Sequence, residues 1–312
     1  MHNLDFPSVV TIGNFDGCHL GHQALIAKAF ESSRLYKLRV ITYTFDPAPQ
    51  EFFLKDKAPQ RLFNRSLKQR SLAELGVEEV IFQDFDQDFS QVTHQAFYQE
   101  HLRVKLNAQA IVTGENFKFG NNRQGDAKFL QNAGEKDGVI VATVPPVTLE
   151  GDSISSSRVR QLLSEGNVQL ATKLLGRPYM MEGAISKGNQ LGQKLGFPTA
   201  NLENYSQLIP KSGVYVGYAM LQKNPQVMHI SKDAIPMVVN IGIRPTLIQQ
   251  GRITIEAHFL AGDYAAESLY GNPLALYFTD YLREEKKFAN QDELVNQVSK
   301  DIGKAKEKLG LQ

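Results

Sequence analysis

Residues 13–22 combine two early glycines, an acid and two histidines at a point where the hydrophobic pattern changes from strand to helix. A β-rich run precedes the stretch and helix-period apolar residues follow it. Gly13 and Gly17 permit backbone angles that other residues resist, and they let a ligand approach the main chain. The start of the helix offers unpaired N–H groups and a positive dipole end, which suit phosphate. These residue types predict a nucleotide site.

His19 and His22 are three residues apart, so at a helix start they share one face and can both donate hydrogen bonds to a polyphosphate. A strand, a glycine turn and a helix occur in many α/β proteins, and two histidines can be ordinary solvated residues. The combination of glycines, an acid and H-x-G-H at one strand-to-helix turn is rarer. That combination favours the nucleotide site.

The stretch reads G-N-F-D-G-C-H-L-G-H and resembles the nucleotidyltransferase signature of bacterial bifunctional riboflavin kinase/FMN adenylyltransferases, also called FAD synthetases. The resemblance implies that the loop residues Gly13, Phe15, Asp16 and Gly17 contact ATP. His19 and His22 are assigned to offsetting the charge that develops on the phosphates. Asp16 is expected to orient the loop or a metal-bound water, because the attacking phosphate is already ionised near neutral pH.

A chain of 312 residues predicts two domains, and its one cysteine, Cys18, excludes an intrachain disulfide or a cysteine zinc site. The formal net charge is +1 with acids and bases interspersed, which argues against nucleic acid or an anionic membrane as the main partner. The first residues lack a basic segment followed by an apolar one, and no run resembles a membrane span. We expect a cytoplasmic protein.

Strand and helix patterns alternate from the start of the chain to about Gly176, which predicts a parallel sheet with helices on both faces. Strands are predicted at residues 9–12, 39–45, 79–82, 110–112 and 138–144, with helices at 62–75 and around Phe97, Leu102 and Leu106. In such a sheet, ligands gather at the carboxyl ends of the strands. The fold class predicted for this half is therefore a Rossmann-like nucleotidyltransferase domain.

Two further stretches fall at the same sheet edge. Residues 114–125, G-E-N-F-K-F-G-N-N-R-Q-G, read as a packed surface loop or as a binding loop. They are similar to a family loop, and this implies that Asn116, Phe117 and Arg123 face the flavin. Residues 154–160, I-S-S-S-R-V-R, read as a helix N-cap. They also resemble the family's I-S-S-T-x-I-R, which implies phosphate binding by four residues: Ser155, Ser156, Arg158 and Arg160.

After Pro178 the pattern changes to short period-2 runs separated by glycine and proline, followed by an apolar helical stripe over residues 294–309. This predicts a small antiparallel β-barrel with a C-terminal helix. The domain limits are placed at 1–178 for the adenylyltransferase and 179–312 for the kinase.

Residues 196–201, G-F-P-T-A-N, can be a turn with local backbone bonds, but they closely resemble a riboflavin kinase motif. The resemblance implies that Thr199 and Asn201 ligate Mg²⁺ held by ATP, and oxygen-only ligation suits that ion. The preceding glycines match the spacing of the family's phosphate loop; they are Gly183, Gly188 and Gly192. Gln193 stands where arginine is usual.

Residues 253–259 alternate, so Thr254, Glu256 and His258 share one face of a strand. A carboxylate there can simply face water. The family's kinase halves carry a similar E-x-H strand, which implies that Glu256 takes the proton from the terminal ribityl hydroxyl of riboflavin. No role is assigned within residues 261–268, where the link is longer than usual in the family.

The resemblance spans essentially the whole chain and implies a bifunctional enzyme that uses ATP and Mg²⁺ to convert riboflavin to FMN and FMN to FAD. We expect these small molecules as partners, and a monomer or weak homo-oligomer. Ala48 stands where the family commonly has histidine, in F-D-P-A-P. Two alternatives stay open: a chain that works only as a kinase, and a flavin- or nucleotide-binding regulator without turnover.

Overall fold

A computed structural model describes residues 4–186, 197–221, 228–244, 252–261 and 270–311. The chain divides into two compact units, Met1–Ser156 and Ser157–Gln312. The two helices that precede residue 178, Ser156–Glu165 and Val168–Leu175, therefore fall in the second unit, except for Ser156. The functional boundary at 178–179 stays a prediction.

The first unit is built on a five-stranded parallel sheet with the strand order β3-β2-β1-β4-β7. Two further pairs of two-residue strands are antiparallel. The strands are β1 (Ser8–Ile12), β2 (Arg39–Phe45), β3 (Glu79–Gln83), β4 (Ala108–Gly114), β5 (Lys118–Phe119), β6 (Gly125–Asp126), β7 (Ile140–Val144), β8 (Thr148–Leu149) and β9 (Asp152–Ser153).

The α-helices of the described residues begin with α1, the next element after β1, and finish with α9, close to the last residue. They are α1 (Leu20–Tyr36), α2 (Pro49–Leu54), α3 (Arg65–Glu74), α4 (Gln87–Ser90), α5 (His94–Ala96), α6 (Ala127–Asp137), α7 (Ser156–Glu165), α8 (Val168–Leu175) and α9 (Gln291–Leu309), with 3₁₀ turns at Lys55–Lys57 and Asn121–Arg123.

Strand β1 lies at the centre of the sheet and every residue in it is buried, as expected for a parallel sheet covered on both faces. Val10 pairs with Ile41 of β2 and with Ile111 of β4, so the carboxyl ends of the three central strands meet at one edge. The segments that leave these ends are the ones in which the sequence places phosphate and flavin contacts. The predicted parallel sheet is confirmed.

Two helices differ from the sequence prediction. The helix expected from residue 62 begins at Arg65, because the side chain of Asn64 caps it by accepting from the N–H of Leu67 at 2.8 Å. The segment Phe97–Lys105 is a π-helix, in which the N–H of Leu106 donates to the carbonyl of His101 at 3.1 Å. Its wider turn suits the five-residue spacing of Phe97 and Leu102, both of which are buried.

The second unit contains a closed barrel with the strand order β10-β11-β14-β13-β12-β15, in which all pairs are antiparallel. The predicted barrel and C-terminal helix are confirmed. The strands are β10 (Tyr179–Ser186), β11 (Thr199–Glu203), β12 (Gly213–Leu221), β13 (Ile235–Arg244), β14 (Arg252–Phe259) and β15 (Pro273–Arg283).

Helix α9 packs on the barrel through Ala305, which is fully buried, and through a charged pair. The guanidinium of Arg283 on β15 donates to both carboxylate oxygens of Asp301, with Nη2 and Oδ2 2.7 Å apart. Gln297 donates to the same carboxylate at 2.9 Å. Asp301 is only 3 % exposed, so its charge depends on these donors.

Replacing Asp301 by alanine should lower the free energy of unfolding of this unit by about 2 kcal/mol, because the Arg283 guanidinium loses its carboxylate partner. Urea unfolding followed by circular dichroism measures the change. The control is Lys308→Met, which removes an exposed ion pair between the same helix and strand and should cost about 0.5 kcal/mol at most. Equal losses in the two variants would contradict the prediction.

Candidate active sites

The loop after β1 has a backbone that a flexible linker would not adopt. The φ angles of Phe15, Gly17 and Cys18 are 48°, 77° and 47°, in the left-handed region that favours glycine. Phe15 and Cys18 adopt this conformation with fully buried side chains. Packing therefore holds the loop in one shape, which is the property expected of a ligand cradle.

The glycines of this loop have different roles. Gly17 has a positive φ angle, whereas the φ angle of Gly13 is not positive. The expectation that Gly13 provides unusual backbone angles is therefore wrong. A Cβ on Gly13 would lie 3.2 Å from the ring of Phe15, and a Cβ on Gly21 would lie 3.1 Å from the ring of His19. A side chain at Gly13 or Gly21 would therefore crowd the neighbouring aromatic ring.

Asp16 holds the loop in place through main-chain partners. One of its carboxylate oxygens accepts from the N–H of Phe63 at 2.9 Å and the other from the N–H of Leu62 at 3.1 Å. Its own carbonyl accepts from the hydroxyl of Ser156 at 2.8 Å, which ties the loop to the first residue of α7. This carboxylate orients the loop.

His19 and His22 lie against each other at the start of α1. Their rings stack with centroids 3.7 Å apart and an interplanar angle of 19°, and Nδ1 of His19 accepts from the N–H of His22 at 3.4 Å. Burial lowers the pKa of His22 well below 6.5, and the charges of His19 and Lys68 lower it further. His22 is therefore neutral near pH 7, and its buried Nδ1 has no hydrogen-bond partner among the described residues.

The segments after β2 contain charged residues that the sequence pattern did not single out. Arg61 pairs with Glu51 and with Asp46, its Nη2 lying 2.9 Å from Oδ1 of Asp46. Glu51 also accepts from the N–H of Ala48 at 2.7 Å, which fixes the position where the family commonly has histidine. Lys68 on α3 is only 6 % exposed. A lysine on a polar-looking helix gives no sequence signal of burial.

The loop after β4 is packed on one side and open on the other. Phe117 and Phe119 stack with centroids 5.4 Å apart, and Phe119 is buried in the sheet core. Gly120 has a φ of 72°, and a Cβ there would lie 2.6 Å from the backbone of His94. Asn116 and Arg123 are exposed. The flavin contacts assigned to Asn116, Phe117 and Arg123 stay predictions.

Ser155 lies just before the first residue of α7, while Arg158 and Arg160 lie further along this helix, within the second unit, and are half-buried. The helix therefore begins among the predicted phosphate contacts. The buried apolar side chains of this helix, Val159, Leu162 and Leu163, all follow Arg158.

In the second unit, strand register brings together residues that are far apart in the chain. On β11 and β14, Thr199 is paired with His258 and Asn201 with Glu256. On the other side of β14, Glu256 is paired with Asn240 of β13. Directly paired residues project from the same face with Cβ atoms about 5 Å apart. The Glu256 carboxylate thus lies between two amide side chains, one of which, Asn240, was missed by the sequence analysis.

His258 is oriented by the chain next to it. Its Nδ1 lies 2.9 Å from the carbonyl oxygen of Pro198, which can only accept, so Nδ1 carries the proton. Phe197 packs edge-on against the same ring at 5.8 Å. These contacts hold the segment before β11, and with it Thr199, against β14.

The side chains of Thr199 and Asn201 offer the kind of oxygen ligand that a magnesium ion prefers. Thr199 and Asn201 supply neutral oxygens on one strand, and a hard ion that keeps several waters needs few protein ligands. Among the described residues, no group of three or more His, Cys, Asp and Glu side chains could hold a metal ion.

The predicted phosphate-loop glycines divide into one that the structure describes and two that it does not. Gly183 lies inside β10, where a Cβ would collide with the carbonyl oxygen of Glu203. Close strand packing is therefore one reason for glycine at this position. Gly188, Gly192 and Gln193 lie outside the described residues.

Comparison with known proteins places a different family on each half of the chain. The family described as FAD synthetase matches residues 2–158, and the family described as riboflavin kinase matches residues 175–309.

Across the described residues, no helix is both long and apolar enough to span a bilayer.

Full-length relatives carry both halves. The bifunctional riboflavin kinase/FMN adenylyltransferase of Escherichia coli K12 is 38% identical over 100% of this chain and 97% of its own length. The enzyme of the same description from Pseudomonas fluorescens is 35% identical over 98% and 95%. A crystal structure described as a macrolide-efflux protein from Streptococcus pneumoniae superposes with a TM-score of 0.84 at 30% identity, covering 96% of this chain and 94% of that one.

Proposed function

This chain belongs to the bifunctional riboflavin kinase/FMN adenylyltransferase family, and from that premise we propose that each activity resides in one of the two sites described above. The kinase reaction converts riboflavin and ATP to FMN and ADP in the barrel. The adenylyltransferase reaction converts FMN and ATP to FAD and pyrophosphate at the loop of residues 13–22. The observation that carries the proposal is the strand register that sets Glu256 opposite Asn201, two residues from Thr199.

In the barrel, Glu256 is the general base. It accepts the proton of the terminal ribityl hydroxyl, whose oxygen then attacks the γ-phosphorus of ATP as the bond to ADP breaks. Thr199 and Asn201 hold the Mg²⁺ that accompanies ATP. When bound, this ion offsets negative charge on the phosphates. Asn240, on the other side of Glu256, orients the carboxylate.

At the loop of residues 13–22, the protein positions two phosphates and offsets charge. An oxygen of the FMN phosphate attacks the α-phosphorus of ATP and pyrophosphate leaves. The attacking oxygen is already ionised, so no base is required. His19 and His22 donate hydrogen bonds to the phosphates, and the start of α1 adds its dipole. Gly13 and Gly17 leave the main chain of the loop open to the phosphates, and Ser155 and Ser156 contact them. The family resemblance also implies that Arg158 and Arg160 bind ATP phosphates.

The remaining assignments extend this proposal. The adenylyltransferase domain comprises residues 1–178 and the kinase domain residues 179–312. In the adenylyltransferase domain, Asn116, Phe117 and Arg123 contact the flavin. The protein works in the cytoplasm as a monomer or weak homo-oligomer, with riboflavin, FMN and ATP as its small-molecule partners.

Incubating the protein with riboflavin, ATP and Mg²⁺ and separating the flavins by chromatography tests the proposal. We expect FMN and then FAD, with ADP and pyrophosphate released in step. Accumulation of FMN without release of pyrophosphate would mean that only the kinase works. Ala48, which stands where the family commonly has histidine, is the reason to test for this outcome. Flavin or nucleotide binding without either product would instead favour a regulator.

A further inference from the structure

Lys68 is a buried cation beside the loop of residues 13–22. Its charge has no role in the chemistry proposed so far. It lies on α3 and is only 6 % exposed. Its Nζ donates to the hydroxyl of Thr44 at 3.4 Å and lies 5.9 Å from the centre of the Phe82 ring. An ammonium group has three donors, so this environment leaves N–H groups unused.

No carboxylate neutralises Lys68 by contact. Within the described part of the chain, its ammonium forms no ion pair. Both oxygens of the nearby Asp16 carboxylate accept main-chain N–H groups instead. Burying a cation without an anion in contact is costly, whereas an apolar residue of similar size would be tolerated. The position of Lys68 therefore suits an anion that arrives with a ligand.

The contacts of Lys68 lead to the loop. Thr44, near the end of β2, accepts from Lys68 and donates to the carbonyl of Asn14 at 3.3 Å. Burial lowers the pKa of Lys68, while the Asp16 carboxylate raises it. The Lys68 charge in turn helps to lower the pKa of His22. The ammonium is thus within electrostatic reach of the residues that would surround a phosphate.

We propose that Lys68 is a further phosphate-binding residue of the adenylyltransferase site, where its unused N–H donors bind a phosphate oxygen of FMN or ATP. The inference rests on the proposal that adenylyl transfer takes place at residues 13–22. Lys68 transfers no proton in this step. The new P–O bond forms to the FMN phosphate, and the electrons of the broken bond leave with pyrophosphate.

Comparing Lys68→Met with Thr44→Val in the full-length protein tests this role. The methionine keeps the length of the side chain and removes the charge, whereas the valine removes only the hydroxyl that joins Lys68 to the loop. For Lys68→Met we expect FAD formation from FMN and ATP to fall by about 10²–10³-fold, as when one charge-stabilising donor is lost. For Thr44→Val the expected fall is about tenfold or less.

The kinetic parameters show which substrate Lys68 binds. A rise in KM for FMN with KM for ATP unchanged points to the FMN phosphate, and the reverse points to ATP. Riboflavin phosphorylation by the same preparation should be unchanged. If Lys68→Met fails to fold, Lys68→Arg is compared with Lys68→Gln instead. Lys68→Arg keeps the charge and should retain far more FAD formation than Lys68→Gln.

Two outcomes would overturn the inference: FAD formation by Lys68→Met within about threefold of wild type, or equal losses in Lys68→Met and Thr44→Val, which would mean that Lys68 only supports the loop. A parallel His22→Ala variant separates this failure from failure of the site. If His22→Ala keeps FAD formation, the assignment of adenylyl transfer to this loop is itself wrong, and the role of Lys68 with it.

Discussion

Replacing Glu256 by glutamine should abolish FMN formation from riboflavin while FAD formation from supplied FMN continues at the wild-type rate. Glutamine has the shape of glutamate and keeps one oxygen toward its neighbours Asn201 and Asn240, but it cannot accept the hydroxyl proton. A general base contributes about 10²–10⁴-fold to the rate, so the kinase step should fall by that factor. ADP release with riboflavin and pyrophosphate release with FMN measure the two steps separately.

The matched control is Glu182→Gln, which neutralises another half-buried carboxylate of the same barrel, on β10. It should leave both rates unchanged. Survival of the kinase step in Glu256→Gln would show that another group takes the proton. Loss of both steps would mean that the substitution disturbs more than the barrel site.

Changing His19 and His22 together to alanine should stop FAD formation and leave riboflavin phosphorylation intact. In the proposed mechanism the two stacked rings donate to phosphates at the start of α1, and loss of one such donor costs about 10²–10³-fold. His22→Ala alone is the cleaner variant, because His19 also caps α1 and its loss costs about 1 kcal/mol of stability. Kinetics with supplied FMN, beside thermal unfolding of each variant, measure both effects.

The lowered pKa of His22 adds a pH dependence to stability. Its pKa in the folded protein lies below the ordinary value of 6.5, so the unfolded chain takes up a proton first as the pH falls. The contribution of His22 to stability is therefore present above pH 6.5 and decreases as the pH falls below it. His22→Ala should show a weaker loss of stability between pH 6.5 and 5 than the wild type. An unchanged slope in that range would contradict the lowered pKa of His22.

Much of this protein could be read from local patterns. Strands that alternate with helices predicted the parallel sheet, because each parallel pair needs a crossover helix. Period-2 runs predicted the barrel and an apolar helical stripe predicted the C-terminal helix, because burial of one face imposes these periods on contiguous residues. The pairs His19–His22 and Thr199–Asn201 were also visible, since residues three apart on a helix or two apart on a strand share a face.

The contacts that complete each site depend on the tertiary structure. Asn240 lies beside Glu256 only because β13 and β14 pair in one register, and a shift of one residue would turn it to the other face. Asp16 accepts main-chain hydrogen bonds from Leu62 and Phe63, more than forty residues away. The burial of Lys68 likewise depends on β2 packing beside that helix. The sequence by itself determined the order of strands and helices and predicted residues for the chemistry, whereas long-range packing decided which charged side chains are removed from water.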